Sequence, residues 1–233
     1  MPWRRIGTAV MDVLIGDGCA ACGMPGPPLC DACAGGMPEV GLPGCVRCGH
    51  PWATPRPSCP QCIAGIAHAR QALRYDPPVP EVVRALKDSR RRLLAHPLAG
   101  LMAQHLDPPP RGAVLVPIPL APQRHADRGF NQAALLADAL GRTWGTPVSD
   151  CLERAPGAGT QRGSRATARH AQVQGAFMAP GEVPLDAVLV DDVVTTGATL
   201  TAAARALRRA GCARVGAVSL ARVVLAGGRT RVG

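Results

Sequence analysis

Lysine is almost missing from this chain: Lys87 stands alone among 26 basic residues, and the rest are arginine. Aromatics are scarce too, with three Trp, two Phe and one Tyr. Single-stranded nucleic acids are commonly held by bases stacked on aromatic rings, so this scarcity counts against a stacking platform. No segment approaches 18 uninterrupted apolar residues, which argues against a membrane-spanning helix. No Ser/His/Asp or Cys/His set stands out, so covalent catalysis by a protein nucleophile has no candidate. Acids are outnumbered as well, leaving a net charge of +10. That balance suits a polyanionic partner, such as a phosphorylated substrate or nucleic acid. The first 70 residues are nearly neutral, so the excess lies in the remainder.

What is abundant at the N-terminal end is cysteine, glycine and proline. Residues 1–18 carry two arginines and a short apolar run interrupted by Asp12, with no small-residue cleavage motif before the first cysteines. The spacing of Ala9, Val10, Val13 and Leu14 predicts a short amphipathic helix rather than a signal peptide. A cytoplasmic protein is expected. Four C-x-x-C pairs come next: Cys19 and Cys22, Cys30 and Cys33, Cys45 and Cys48, Cys59 and Cys62. One such turn aims two sulfurs at one metal, and two turns complete a tetrahedral Cys₄ zinc site with no open position for chemistry. Gly23 and Gly49 directly follow the first and third pairs, where a tight knuckle favours positive φ. Sequential pairing, with the first four cysteines on one zinc and the last four on another, is the simplest arrangement. Spacing alone leaves a crossed arrangement or a single occupied site open. His50 and His68 are surplus to complete Cys₄ sets, and Cys151 and Cys212 read as small buried hydrophobes.

From about residue 66 strands alternate with helices. "HARQALRYD", "GAVLVPIPL", "DAVLVDDVV" and "ARVGAVSLARVV" read as strands; "VPEVVRALKDS", "LLAHPLAGLMAQHL", "NQAALLADALGRTWG" and "GATLTAAARALRRAG" have helical spacing. Apolar strands alternating with helices predict an α/β fold with a parallel sheet covered on both faces. The expected division is a helix and double zinc ribbon over 1–64, then the α/β unit over 65–233.

Sites in such sheets lie at the carboxyl ends of strands. There "VLVDDVVTTGATL" puts Asp191 and Asp192 at the end of a buried strand, before a helix that starts near Thr195, Thr196, Gly197, Ala198 and Thr199. Unpaired amides, hydroxyls and the positive helix end suit a phosphate monoester, and Gly197 permits close backbone approach. The acids suit the vicinal hydroxyls of a sugar, or Mg²⁺. Taken alone, the segment is equally compatible with a threonine-capped helix and a solvated strand end.

The whole string resembles the phosphoribosyl-pyrophosphate (PRPP) motif of type I phosphoribosyltransferases: an apolar run, two acids, two variable residues and T-G-x-T. With the paired knuckles and "VPIPLAPQRHADRGFNQ", nearly the whole chain is similar to the ComF family, competence-associated proteins with a phosphoribosyltransferase-like domain. The resemblance implies a type I phosphoribosyltransferase-like sheet. It implies a pyrophosphate loop carrying Arg124, Arg128 and Gly129, with Asn131 and Gln132 on substrate or fixing the loop. It also implies a mobile hood over "LERAPGAGTQRGSRATARHAQVQGAF", with Arg154, Arg162, Arg165 and Arg169. Ser164 and Gln172 depart from the family pattern in that hood. So does the turn after Lys87.

Three functions are compatible with these residues. The first is Mg²⁺-dependent transfer of phosphoribose from PRPP, with Asp191, Asp192, Arg124 and Arg128 in the reacting centre. The second is a non-catalytic competence factor that binds single-stranded DNA and a helicase, its PRPP or ribose 5-phosphate site serving as a sensor. The third is nucleotide salvage. No base-recognition element is legible.

Overall fold

A computed structural model describes residues 18–41, 44–52, 54–155 and 175–224. The expected N-terminal helix lies outside the described residues, as does most of the hood, including Arg162, Ser164, Arg165, Arg169 and Gln172.

The elements are α1 (Asp31–Gly35), β1 (Ala69–Arg74), α2 (Val79–Leu86), α3 (Ala95–His105) and β2 (Val114–Pro117). After them come α4 (Pro122–Arg128), α5 (Gln132–Trp144), β3 (Glu153–Arg154), β4 (Phe177–Met178), β5 (Asp186–Val194), α6 (Ala198–Arg209) and β6 (Arg214–Arg222). Four strands form one sheet in the order β1-β6-β5-β2, and every neighbouring pair is parallel. Beside them, β3 and β4 make a small antiparallel pair.

Side-chain periodicity explains the layers. Along β5, Val188 and Val190 point to one face and pack with α2, α3 and α5; Ala187 and Leu189 point to the other and pack with α6. Helix α2 buries Val79, Val82, Val83 and Leu86, an i, i+3, i+4, i+7 stripe. Helix α6 offers Leu200, Ala203, Ala204 and Leu207, and its alanines let it sit close to the sheet. The side chain of Asn131 caps α5, accepting from the Ala133 N–H at 3.0 Å, and Gly145 ends the helix at φ +63°.

The Cys-rich segment lies against the outer edge of β1. The Ala69 N–H donates to the Arg47 carbonyl at 2.8 Å, the Arg74 N–H donates to the Pro38 carbonyl at 2.7 Å, and Glu39 bridges Leu73. No helix among the described residues is long and apolar enough to cross a membrane.

The strand read from "DAVLVDDVV" is β5, which runs through Asp191 and Asp192 to Val194 alongside β6. One local feature differs from expectation. Part of the "VPIPLAPQRHADRGFNQ" loop is helical, over α4. That helix buries none of its side chains, so it leaves no apolar period in the sequence.

Candidate functional site

The carboxyl ends of β2 and β5 point the same way, and the unusual segments gather there. Gly197 stands at φ +75° as the N-cap of α6, and no side chain caps the helix by a regular bond. Thr196 Oγ1 accepts only a long 3.4 Å contact from the Ala198 N–H. The amides at this helix start are thus available to an anion, and the positive end of the helix faces the same cup. Asp191 and residues Val193 through Leu200 line that cup.

Alternation separates the two acids. Asp192 falls on the Val188 and Val190 side, where Lys87 at the end of α2 meets it with Nζ 2.7 Å from Oδ2. Asp191 opens toward the α6 loop, and its Oδ1 accepts from the Asp192 N–H at 2.9 Å. Burial pushes the Asp191 carboxyl well above the ordinary carboxylate range; the Asp192 charge adds to this, while Lys87 pulls the other way. The adjacent acids therefore have different characters, one tied to a cation and one favouring its neutral form.

Arginines face this end. Arg124 and Arg128 lie on α4, and Gly129 closes that helix at φ +70°. Arg128 Nη1 donates to Gln132 Oε1 at 3.1 Å, and Asn131 Nδ2 donates to the Ile118 carbonyl at 3.0 Å. Both polar ends of Asn131 thus hold the loop. Arg92 steadies it from outside, donating to the Gly129 carbonyl at 3.1 Å and lying 4.9 Å above the Phe130 ring. Arg154 is held by the Pro119 carbonyl and the Phe177 ring, and feels the charges of both Arg124 and Asp191.

The eight N-terminal cysteines form two sets, Cys19/Cys22/Cys30/Cys33 and Cys45/Cys48/Cys59/Cys62, each with its sulfurs within 4.8 Å of one another. That is the sequential pairing. None of them is in a disulfide, and neither His50 nor His68 joins a set. Zinc–sulfur bonds of about 2.3 Å in a tetrahedron place sulfurs about 3.8 Å apart. Here Cys45–Cys62 is 3.6 Å, Cys48–Cys59 is 3.5 Å and Cys22–Cys30 is 4.0 Å. The donor sets fit structural zinc. Gly23 and Gly49 adopt φ of +73° and +68°, and their N–H groups close the knuckles on the Cys19 and Cys45 carbonyls at 2.8 Å each.

A phosphoribosyl transferase domain model matches residues 133–229. The DNA utilization protein YhgH of Salmonella typhimurium is 34% identical over 201 residues, covering 80% of this chain and 87% of that protein. Competence protein ComFC of Streptococcus pneumoniae is 26% identical over 200 residues, covering 83% and 87%. The chain belongs to the ComF family. Among solved structures, a glutamine PRPP amidotransferase from B. subtilis, complexed with ADP and GMP, is 21% identical with a TM-score of 0.35. That match spans 55% of this chain and 26% of the other.

For this ComF-family chain, sequence reasoning missed the partner of Lys87 and the buried contacts around Gly197. Its single lysine was the available signal for the first. For the second there was none: a Cβ on Gly197 would lie 2.6 Å from Cγ1 of Ile63, a residue in the Gly/Pro-rich segment.

Proposed function

We propose that the cleft at the carboxyl end of β5 binds ribose 5-phosphate or PRPP with Mg²⁺, in a protein that serves DNA uptake. One observation carries the ligand: the acid pair, the uncapped start of α6 and a cluster of arginines converge at one end of the sheet. The α6 amides with Thr195, Thr196, Gly197, Ala198 and Thr199 take the 5-phosphate. Asp191 and Asp192 take the vicinal hydroxyls, and Lys87 orients the Asp192 carboxylate. Arg124, Arg128 and Arg154 face the pyrophosphate, with Gly129 giving access and Asn131 fixing the loop. Mg²⁺ takes most of its oxygens from phosphate and water, and the acid pair offers the carboxylate it commonly adds. When bound it supplies neutralising charge to the pyrophosphate.

Such a site suits transfer of phosphoribose, since departure of pyrophosphate needs stabilised charge rather than a protein nucleophile. It suits a ligand sensor equally, and release of pyrophosphate is the measurement that separates the two. The Cys-rich part, over 1–64, carries two structural zinc ions beside the unit over 65–233. Calorimetric titration with PRPP and with ribose 5-phosphate, in Mg²⁺, tests the ligand. Saturable binding is expected, lost in Asp191→Ala/Asp192→Ala; a wild-type chain that binds neither compound refutes the reading.

The relatives' names, DNA utilization and competence, favour a second reading in which the basic surface holds single-stranded DNA or a helicase. Single-strand affinity should then fall steeply as salt rises. No binding at low salt ends that reading.

A further inference from the structure

Ile63 is the residue directly after the last zinc-ligating cysteine, Cys62, and it is buried beneath the glycine of the phosphate loop. All three of its outer carbons, Cγ1, Cγ2 and Cδ1, lie 2.6 to 3.1 Å from where a Cβ on Gly197 would stand. Gly197 is thus fixed by the Cys-rich segment as well as by its left-handed backbone. The same segment is tied to the sheet close by. Arg222, at the end of β6 and paired in register with Val194 of β5, is 2% exposed. Its Nη1 donates to the Cys48 carbonyl at 3.0 Å and its Nη2 to the Gln61 carbonyl at 3.3 Å, one from each knuckle of the second cysteine set. No carboxylate pairs with it among the described residues. A buried guanidinium needs a compensating charge, and four thiolates around one Zn²⁺ carry a formal charge of −2. Further along, Arg208 of α6 donates to the Gly65 carbonyl at 3.3 Å, and Arg47 donates twice to the Ile66 carbonyl at 3.2 Å.

We propose that the second tetracysteine centre is a working part of the phosphate site: Ile63 and Arg222 are positioning residues that hold the Thr195–Thr199 loop in its anion-binding shape. Arg222 answers the charge of the metal centre and locks both knuckles to the β5–β6 ends. Ile63 converts that lock into a seat for Gly197. Loss of either loosens the loop before any ligand arrives, so a ligand must then spend part of its binding free energy on ordering it. This rests on the ribose 5-phosphate reading for its ligand, though not for its structural core.

The test uses the full chain, loaded with zinc, as wild type, Ile63→Ala, Ile63→Val and Arg222→Met. Zinc content is measured on each, hydrogen exchange of residues 195–200 is followed without ligand, and ribose 5-phosphate is titrated. Ile63→Ala should keep two zinc ions per chain, exchange the loop amides about tenfold faster, and bind ribose 5-phosphate about tenfold more weakly. Ile63→Val should restore most of both. Arg222→Met should also lose or weaken zinc at the second set. Unchanged loop exchange in Ile63→Ala overturns the proposal, whatever happens to Arg222→Met. If the wild type fails to bind ribose 5-phosphate, the ligand reading falls, and loop exchange still decides this one.

Discussion

The two tetracysteine sets are built from the same repeated turn, yet they rest on different parts of the molecule. The first packs Cys19, Leu29 and Met37 into the helical layer of α2, α3 and α5, and leaves Cys22 exposed. The second buries Cys45 and Cys48 and sends Ile63 and Ile66 into the opposite layer, against α6. The residues just past the last cysteine make the difference: Ala34 and two glycines after the first set, Ile63 after the second. A metal-binding motif thus says little about what its metal supports. The neighbours of the motif decide that.

The largest expected effect separates the sets directly. Cys22→Ser and Cys59→Ser should each cost one zinc per chain, and structural zinc can be worth about 10 kcal/mol of folding free energy in small domains. Mapped by hydrogen exchange, Cys22→Ser should deprotect α2 and α3, whereas Cys59→Ser should deprotect residues 195–200 and the end of β6. Identical maps would break the comparison.

Gly197→Ala comes next. It meets both a left-handed backbone and the Ile63 side chain, for a cost of about 3 kcal/mol by denaturant titration. Adding Ile63→Ala should recover part of that loss, a coupling that a double-mutant cycle measures. Simple additivity would mean the contact carries no energy.

A smaller effect lies in pH. Because the folded-state Asp191 carboxyl is raised, the folded chain binds its proton more readily than the unfolded one. The stability this group contributes is complete below about pH 4 and is lost as pH rises through the raised value. Asp191→Asn should therefore raise the melting temperature at pH 8 in Mg²⁺-free buffer, the gain vanishing near pH 4. It should weaken ribose 5-phosphate binding all the same. A gain that persists at pH 4 would contradict the assigned cause.

The smallest is Asn131→Ala, remote from both sets. Losing the cap of α5 and the tie to Ile118 should cost about 1 kcal/mol, with zinc content unchanged.

Much of this was legible in the sequence. Apolar runs gave β2, β5 and β6, 3.6-residue periods gave α2, α3, α5 and α6, and the C-x-x-C spacing gave the two sets. The acid pair and T-G-x-T string located the cleft. Features without a period were not legible. Helix α4 buries nothing, and β3 and β4 are two residues each. Gly197 was expected to admit a ligand, and in the fold its missing side chain also makes room for Ile63. Arg222 is one arginine among many until its burial is seen. The contact of Lys87 with Asp192 joins residues far apart in the chain, which no local pattern encodes.

The outer edge of β1 has a consequence for handling the protein. Its backbone groups are occupied by Arg47, Pro38 and Glu39 of the Cys-rich segment. An unpaired strand edge is a template for another chain. Stripping the metal would therefore do more than loosen a small module: it would uncover a sticky border on the sheet. Chelator-treated protein should self-associate through that border, and preparations kept in zinc should stay dispersed.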